Sequence, residues 1–255
     1  MVMLWTEPSH GIKIMKRFSL FMLTALLCLS LTGANASPTV TKAHKSAHKI
    51  NMPSLMGGGG SCSATAIGPH ALLTATHCVA ASAVLTVDGD DFGIVTIISD
   101  GLDHSIYLLD GPHAFVDYSA VDLNDKPEQG DRVFLFGNPG GFEDMYREGY
   151  VSGYEKPVKE DDSTGFDLFN PFLGRLPKIK THSGNDAIVR TYYDFNGYFG
   201  DSGSGIFNHE GKVIGITSFI QGQSERGYSI KFMGGFEMRF TQKQLNEARE
   251  FNPNQ

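Results

Sequence analysis

Cysteine is scarce: the chain has three in 255 residues, and Cys28 lies inside an apolar N-terminal run. Only Cys62 and Cys78 remain for a folded domain, with neither the further cysteines nor the tight C-x₂-C spacing of a thiolate metal site. An even pair in an exported chain reads as a disulfide made in an oxidising compartment, with two buried free thiols as the alternative. Positive charge is also in deficit, at 21 basic against 28 acidic side chains. That removes the electrostatic case for binding nucleic acid or an anionic membrane surface. No long apolar period of 3.6 residues appears between Cys62 and Phe240, which argues against a helical bundle.

Glycine, by contrast, is plentiful at 30 residues, and turn signals are frequent, as expected of many short strands. At the N-terminus, Lys16-Arg17 precedes the apolar run from Phe18 to Leu31, and Ala34-Asn35-Ala36 follows. This is the layout of a secretory signal peptide. The run is short for a membrane span of ~20 residues. Leu27, just before Cys28, is too bulky for a lipoprotein cleavage site. Met15 reads as the natural start, so residues 1–36 are expected to comprise an over-extended start plus a signal peptide. Without them, 18 basic and 27 acidic side chains leave a net charge of −9. The expected location is the periplasm or the medium, without membrane attachment.

Residues 37–60 are polar and end in Gly57–Gly60, and read as a flexible extension or pro-segment, with His44 and His48 solvated. Six short apolar runs follow within 61–123: Ser63–Ile67, Ala71–Thr74, Ala83–Val87, Phe92–Ile98, Ile106–Leu109 and Tyr118–Leu123. They predict a small closed barrel. Residues 124–130, with Pro127, read as a linker. A second series fills 131–240: Arg132–Gly137, Gly149–Tyr154, Ala187–Tyr193, Gly205–Asn208, Lys212–Phe219 and Gly227–Phe232. It is interrupted by an insertion over 155–186, long enough to be a functional or mobile surface loop. Residues 241–255 predict a helix opened by a Thr241–Gln244 capping box, with Leu245, Ala248 and Phe251 on one face.

The chemistry concentrates in two places. Phe199-Gly200-Asp201-Ser202-Gly203-Ser204-Gly205 sets a serine in a glycine-rich turn, and Thr74-Ala75-Thr76-His77-Cys78 supplies a histidine far upstream. A serine hydroxyl is a poor nucleophile until a base removes its proton. Glycines allow the backbone to aim successive N–H groups at one point, where an anion sits. Base, nucleophile and anion hole are the parts that acyl transfer needs.

These two motifs, with Asp117-Tyr118-Ser119-Ala120-Val121, resemble the chymotrypsin-like (trypsin-fold) serine endopeptidases of bacterial exported type, in the family's order His, Asp, Ser. The resemblance covers about Ser61 to Phe240. It implies an all-β fold of two six-stranded Greek-key barrels with the active site between them, closed by a C-terminal helix packed on the second barrel. It implies a catalytic triad of His77, Asp117 and Ser202, with an oxyanion hole from the amides of Gly200 and Ser202. Asp103, Asp110 and Asp122 compete for the carboxylate role, but only Asp117 precedes the apolar–small–small–apolar pattern. The family commonly bridges the position beside its histidine, which supports a Cys62–Cys78 disulfide. Gly137-Asn138-Pro139-Gly140-Gly141 and Val151-Ser152-Gly153 resemble the corresponding stretches of high-temperature-requirement periplasmic proteases, although the peptide-binding domain of those proteins is not recognisable.

By the same resemblance, substrate contacts fall to Asn196 at the pocket floor and Thr217, Ser218, Phe219 and Ile220 along its wall. A neutral floor and a β-branched Ile220 predict cleavage after small or medium apolar residues. No Ile-Val-Gly-Gly-like activation sequence is present, so Asp201 is expected to pair with something other than a newly cut N-terminus. The implied partner is a protein or peptide substrate. Neither metal nor organic cofactor is implied, and the oligomeric state is not legible. The rival readings are a catalytically silent binding module on the same fold and an esterase. The latter lacks a Gly-x-Ser-x-Gly elbow in a strand–helix setting.

Overall fold

The computed structural model describes residues 37–52, 60–78, 83–158, 188–225 and 228–255. The expected signal peptide, and 159–186 of the expected insertion, lie outside the described residues. The fold is all-β apart from two helices and two short 3₁₀ turns among the described residues. Six strands close the first barrel: β1 (Ala47–Met52), β2 (Gly60–Gly68), β3 (Ala71–Ala75), β4 (Val84–Val87), β5 (Asp90–Ser99) and β6 (His104–Asp110). They run in the order β1-β2-β3-β6-β5-β4, with β1 bonded to both β2 and β4.

Two expectations for this half are corrected. Residues 37–60 are not simply an extension, because helix α1 (Pro38–Lys45) and β1 both lie within them. Ala43 and Ile50 are fully buried there, among polar residues that hid the pattern. Without β1, the barrel would expose the edges of β2 and β4. Conversely, Tyr118–Leu123 is not a strand. It crosses between the two halves, joined to β2 by Ser119 N–H donating to the Ala66 carbonyl (2.9 Å) and to the second half by an isolated bridge from Val121 to Val213. The Ser119 and Ser46 hydroxyls, 2.8 Å apart, tie this crossing to the segment joining α1 and β1.

The second half is a curled seven-stranded sheet in the order β11-β10-β7-β8-β9-β13-β12. Its strands are β7 (Arg132–Gly137), β8 (Met145–Val158), β9 (Ile188–Tyr193), β10 (Gly205–Phe207), β11 (Val213–Ile216), β12 (Phe219–Glu225) and β13 (Tyr228–Phe236). The expected single strand Lys212–Phe219 is therefore two, divided at Thr217-Ser218. Strand β8 outruns its predicted length at both ends and enters the region read as an insertion.

Side chains alternate across a strand, so one strand can serve two cores. Val133 and Leu135 of β7 join Val151, Tyr193, Ile206 and Met233 inside the second half. Phe134 and Phe136 face the other way, into the core that the first barrel shares with Phe207, Val213 and Ile216. Helix α2 (Gln242–Glu250) carries both halves of the predicted capping box. Its Leu245 and Ala248 are buried in the first-barrel core, and a Cβ on Gly68 of β2 would lie 2.8 Å from Arg249 Cα. The C-terminal helix thus packs against the first barrel, a correction to the expected second. A glycine at the end of β2 is what lets the helix approach so closely.

A buried pair anchors the chain leading into α2. His104 Nδ1 lies 2.6 Å from Asp100 Oδ2, and neither side chain is exposed. The same carboxylate accepts from the Arg239 and Leu102 amides. Burial alone would push the Asp100 carboxyl up, but the hydrogen bond and charge interaction with His104, with the two amides, outweigh it and hold it below the usual carboxylate range. The folded value thus lies below the unfolded one of ~3.9, so this group's contribution to stability is present above that pH and lost as pH falls through the folded value. Urea unfolding followed as pH is lowered should show that loss, and Asp100→Asn should flatten the acid limb while lowering stability at neutral pH. An unchanged acid limb would rule out this role.

Candidate active site

His77 sits in the 3₁₀ turn Thr76–Cys78 that ends β3. The disulfide expected from composition and resemblance is present: Cys62 of β2 is bonded to Cys78, with their Cα atoms 6.1 Å apart. It pins the histidine turn to the neighbouring strand. Ligand atoms of Cys62, His77 and Cys78 lie within 4.8 Å of one another, but the two sulfurs are bonded together and offer no thiolate to a metal.

The carboxylate beside His77 belongs to Asp103, not Asp117. His77 Nδ1 lies 2.9 Å from Asp103 Oδ2 and 3.1 Å from Oδ1, and the His77 amide donates to Oδ1 at 3.0 Å. Register explains this. Ala75 of β3 faces His104 of β6, so the next residues on each side, Thr76 and Asp103, meet at the barrel mouth; the Thr76 amide donates to the Asp103 carbonyl. Asp103 is buried. Asp117 instead lies on the crossing segment, half-exposed and 3.7 Å from Lys45 Nζ. The sequence did hold the signal: Asp103-His104-Ser105-Ile106 is an Asp–x–small–apolar strand opening, with His104 in the apolar place. A histidine there reads as exposed, yet its pairing with Asp100 lets it be fully buried.

Ser202 occupies a turn that only glycines permit. Gly200 has φ of 103°, and a Cβ there would come 2.2 Å from the Asn138 carbonyl; Gly203 has φ of 86°, and a Cβ there would strike the Ser63 carbonyl and the Thr74 hydroxyl. The amides of Asp201, Gly203 and Ser204 are engaged by the carbonyls of Tyr198, Thr217 and Asp201. Among the described residues, no such partner takes the amides of Gly200 and Ser202.

Asp201 is buried and bonded to Arg147 of β8. Arg147 Nη1 donates to Asp201 Oδ2 at 2.7 Å, Nη2 donates to Oδ1, and the Tyr198 amide donates to Oδ2 at 2.8 Å. A fixed side chain therefore holds this carboxylate, a partner that sequence reasoning did not find. A carboxylate in trans gives no local pattern, and an arginine on an otherwise exposed strand face reads as solvated.

His77, Gly200 and Ser202 line one cleft of about 850 Å³. Ser218, Phe219 and Ile220 form part of its wall, as expected, whereas Asn196 and Thr217 do not line it. The Asn196 carbonyl accepts from Arg147 (2.9 Å), and the Thr217 hydroxyl donates to the Asp201 carbonyl, so both support the turn from behind. Ile220 packs on Gly197, where a Cβ would lie 2.9 Å from Ile220 Cγ1. A separate cavity of about 220 Å³, beside Lys126 and Tyr193, contains none of these groups.

A closed barrel and a curled sheet meeting at such a cleft have the architecture of the two-barrel serine peptidases. The trypsin-like peptidase domain matches residues 62–216, and the chain belongs to that family. In fold, it is similar to the active form of the Rv3671c protease from M. tuberculosis (17% identity, TM-score 0.55, 83% of each chain covered). It is also similar to an inactive form of that protein carrying a serine-to-alanine mutation (19% identity, TM-score 0.52, 86% of this chain and 93% of the other). No curated protein matches the chain by sequence.

Removing one partner of a buried ion pair leaves the other charged and desolvated, at a cost of ~3–5 kcal/mol. Arg147→Met should therefore lose stability on that scale in urea unfolding, and adding Asp201→Asn should recover part of it. A loss below ~1 kcal/mol would mark the pair as an ordinary surface bridge.

Proposed function

We propose that this protein is a serine endopeptidase that cleaves peptide bonds through His77, Asp103 and Ser202. The observation that carries the reading is the His77 imidazole, backed by a buried carboxylate and sharing a cleft with a serine whose turn leaves two amide donors unengaged. With Nδ1–H donated to Asp103, Nε2 is left as the acceptor. It takes the Ser202 proton as Oγ attacks the scissile carbonyl, and returns that proton to the leaving amine. The oxygen of the tetrahedral intermediate is bound by the amides of Gly200 and Ser202, each worth roughly 3–4 kcal/mol in the transition state. Water, deprotonated by the same imidazole, then releases the acyl group and restores Ser202. Asp103 keeps the tautomer and stabilises the imidazolium, the role the resemblance had attached to Asp117.

Packing of Ile220 onto Gly197 supports a shallow pocket and cleavage after small or medium apolar residues. The disulfide supports export to an oxidising compartment, in keeping with a periplasmic or secreted enzyme. No described helix is long and apolar enough to cross a membrane.

A fluorophosphonate probe should label Ser202 in the wild type and leave Ser202→Ala unlabelled; an unlabelled wild type would favour the silent binding module. Asp103→Asn should lower kcat by about 10³–10⁴-fold, as tautomer loss does in such triads, while Asp117→Asn stays within a few-fold of wild type. The reverse order would return the role to Asp117. Profiling on a proteome-derived peptide library should show small or medium apolar residues before the cut bond, and a preference for Arg, Lys or Glu would refute the pocket assignment.

A further inference from the structure

The mechanism needs the amides of Gly200 and Ser202 aimed at one point, and contacts inside the turn supply only part of that aim, where the Ser204 amide donates to the Asp201 carbonyl at 2.9 Å. A trans peptide points its carbonyl and its N–H in opposite directions, so holding the carbonyl sets the N–H. The Phe199 carbonyl accepts from the Gly140 amide at 2.6 Å, which sets the Gly200 N–H. The next carbonyl, of Gly200, accepts from Ser63 Oγ at 2.9 Å. The carbonyl of Ser202 accepts from the Ser63 amide at 2.8 Å. The Asp201 carbonyl, which sets the Ser202 N–H, accepts from the Ser204 amide at 2.9 Å and from the Thr217 hydroxyl, so Ser63 fixes the peptide that links the two oxyanion amides and the carbonyl that follows them.

The Ser63 hydroxyl has no freedom to do otherwise. It carries one proton and two lone pairs. Both acceptor positions are taken by Asn138, through its backbone amide at 3.0 Å and its side-chain Nδ2 at 2.9 Å. The proton is left for Gly200. Asn138 is itself oriented, since its Oδ1 accepts from the Asp144 amide at 3.2 Å. Ser63 and Asn138 are 1% and 2% exposed, so no water competes. The Ser63 carbonyl, finally, accepts from the Thr74 hydroxyl at 2.7 Å, on the strand that leads to His77.

We propose that Ser63, oriented by Asn138, is a positioning residue that selects the peptide orientation of the oxyanion turn. This rests on the proteolytic reading above. A flip of the Gly200–Asp201 peptide would take the acceptor from the Ser63 hydroxyl, whose other positions Asn138 already fills, and turn the Asp201 amide away from the Tyr198 carbonyl, so the network favours one turn conformation in the absence of substrate. It also accounts for the Gly-Asn-Pro motif at 137–139: the asparagine is the residue whose amide and side chain together saturate the hydroxyl.

The test compares Ser63→Ala and Asn138→Ala with wild type. Ser63→Ala should lower kcat by about 10²-fold while KM moves less than ~threefold, the pattern of an interaction felt in the transition state. Affinity for a peptide boronate, which mimics the tetrahedral intermediate, should fall by the same factor, and affinity for a product peptide should not. The double variant should be little worse than Ser63→Ala alone, because the two act as one unit. A Ser63→Ala enzyme that melts earlier but keeps its kcat and boronate affinity would overturn the proposal. Should Ser63→Ala not fold, Asn138→Ala with the same readouts decides. Amide hydrogen exchange over 199–203 separates this proposal from the proteolytic reading. If the wild type shows no turnover, that reading fails, and faster exchange confined to 199–203 in Ser63→Ala still sustains the positioning role, whereas unchanged exchange refutes it.

Discussion

The segment Cys62-Ser63 of β2 is the constraint on which the rest of the cleft depends. Cys62 is joined covalently to Cys78, beside His77, and Ser63 is hydrogen-bonded to the carbonyls of Gly200 and Ser202. Two turns separated by more than a hundred residues are thus referred to one short, buried piece of strand. Strands are suited to this task because their geometry is stiff and their register admits no small error: a slip of one residue turns every side chain to the opposite face. The same strictness brings Asp103 to His77, through the pairing of β3 with β6.

Behind this front layer lies a second set of buried polar contacts that holds the serine turn from the other barrel. Arg147 grips Asp201, the Asn196 carbonyl accepts from Arg147, and Thr217 caps the Asp201 carbonyl. An ion pair of this kind adds little net stability over an apolar substitute, but it tolerates only one geometry, and breaking it strands a charge. The proposed nucleophile is therefore held between two halves by contacts that are directional rather than merely apolar. The apolar work is done elsewhere, by β7, whose Phe134 and Phe136 feed the core shared with the first barrel and whose Val133 and Leu135 feed the second.

Much of this was legible beforehand. The glycine-rich serine turn, the histidine before Cys78, the disulfide and the capped final helix each have local signatures, because each is a matter of backbone conformation or of residues close in sequence. The errors share a cause. The Asp103 strand was obscured by His104, which is buried only through its pairing with Asp100, and strand β1 by the polar residues around Ile50, where His48 pairs with the exposed Asp88 from another strand's end. Asp117 fitted a local pattern but stands on a segment that crosses between halves. Arg147 and Ser63 were missed altogether, and Asn138 stood out only as part of a motif without a role; each acts on a partner more than fifty residues away, and no periodicity marks them.

By itself, the sequence determined the fold class, which follows from strand-length apolar runs and glycine-marked turns, and its motifs, by resemblance, pointed to the family and to the histidine and serine that line the cleft. Tertiary structure alone decided which aspartate backs the imidazole, which residue neutralises Asp201, and which strand closes the first barrel. These are outcomes of strand register and of pairing between buried polar groups, and the free energy of such a pair exists only once the fold has excluded water from both partners.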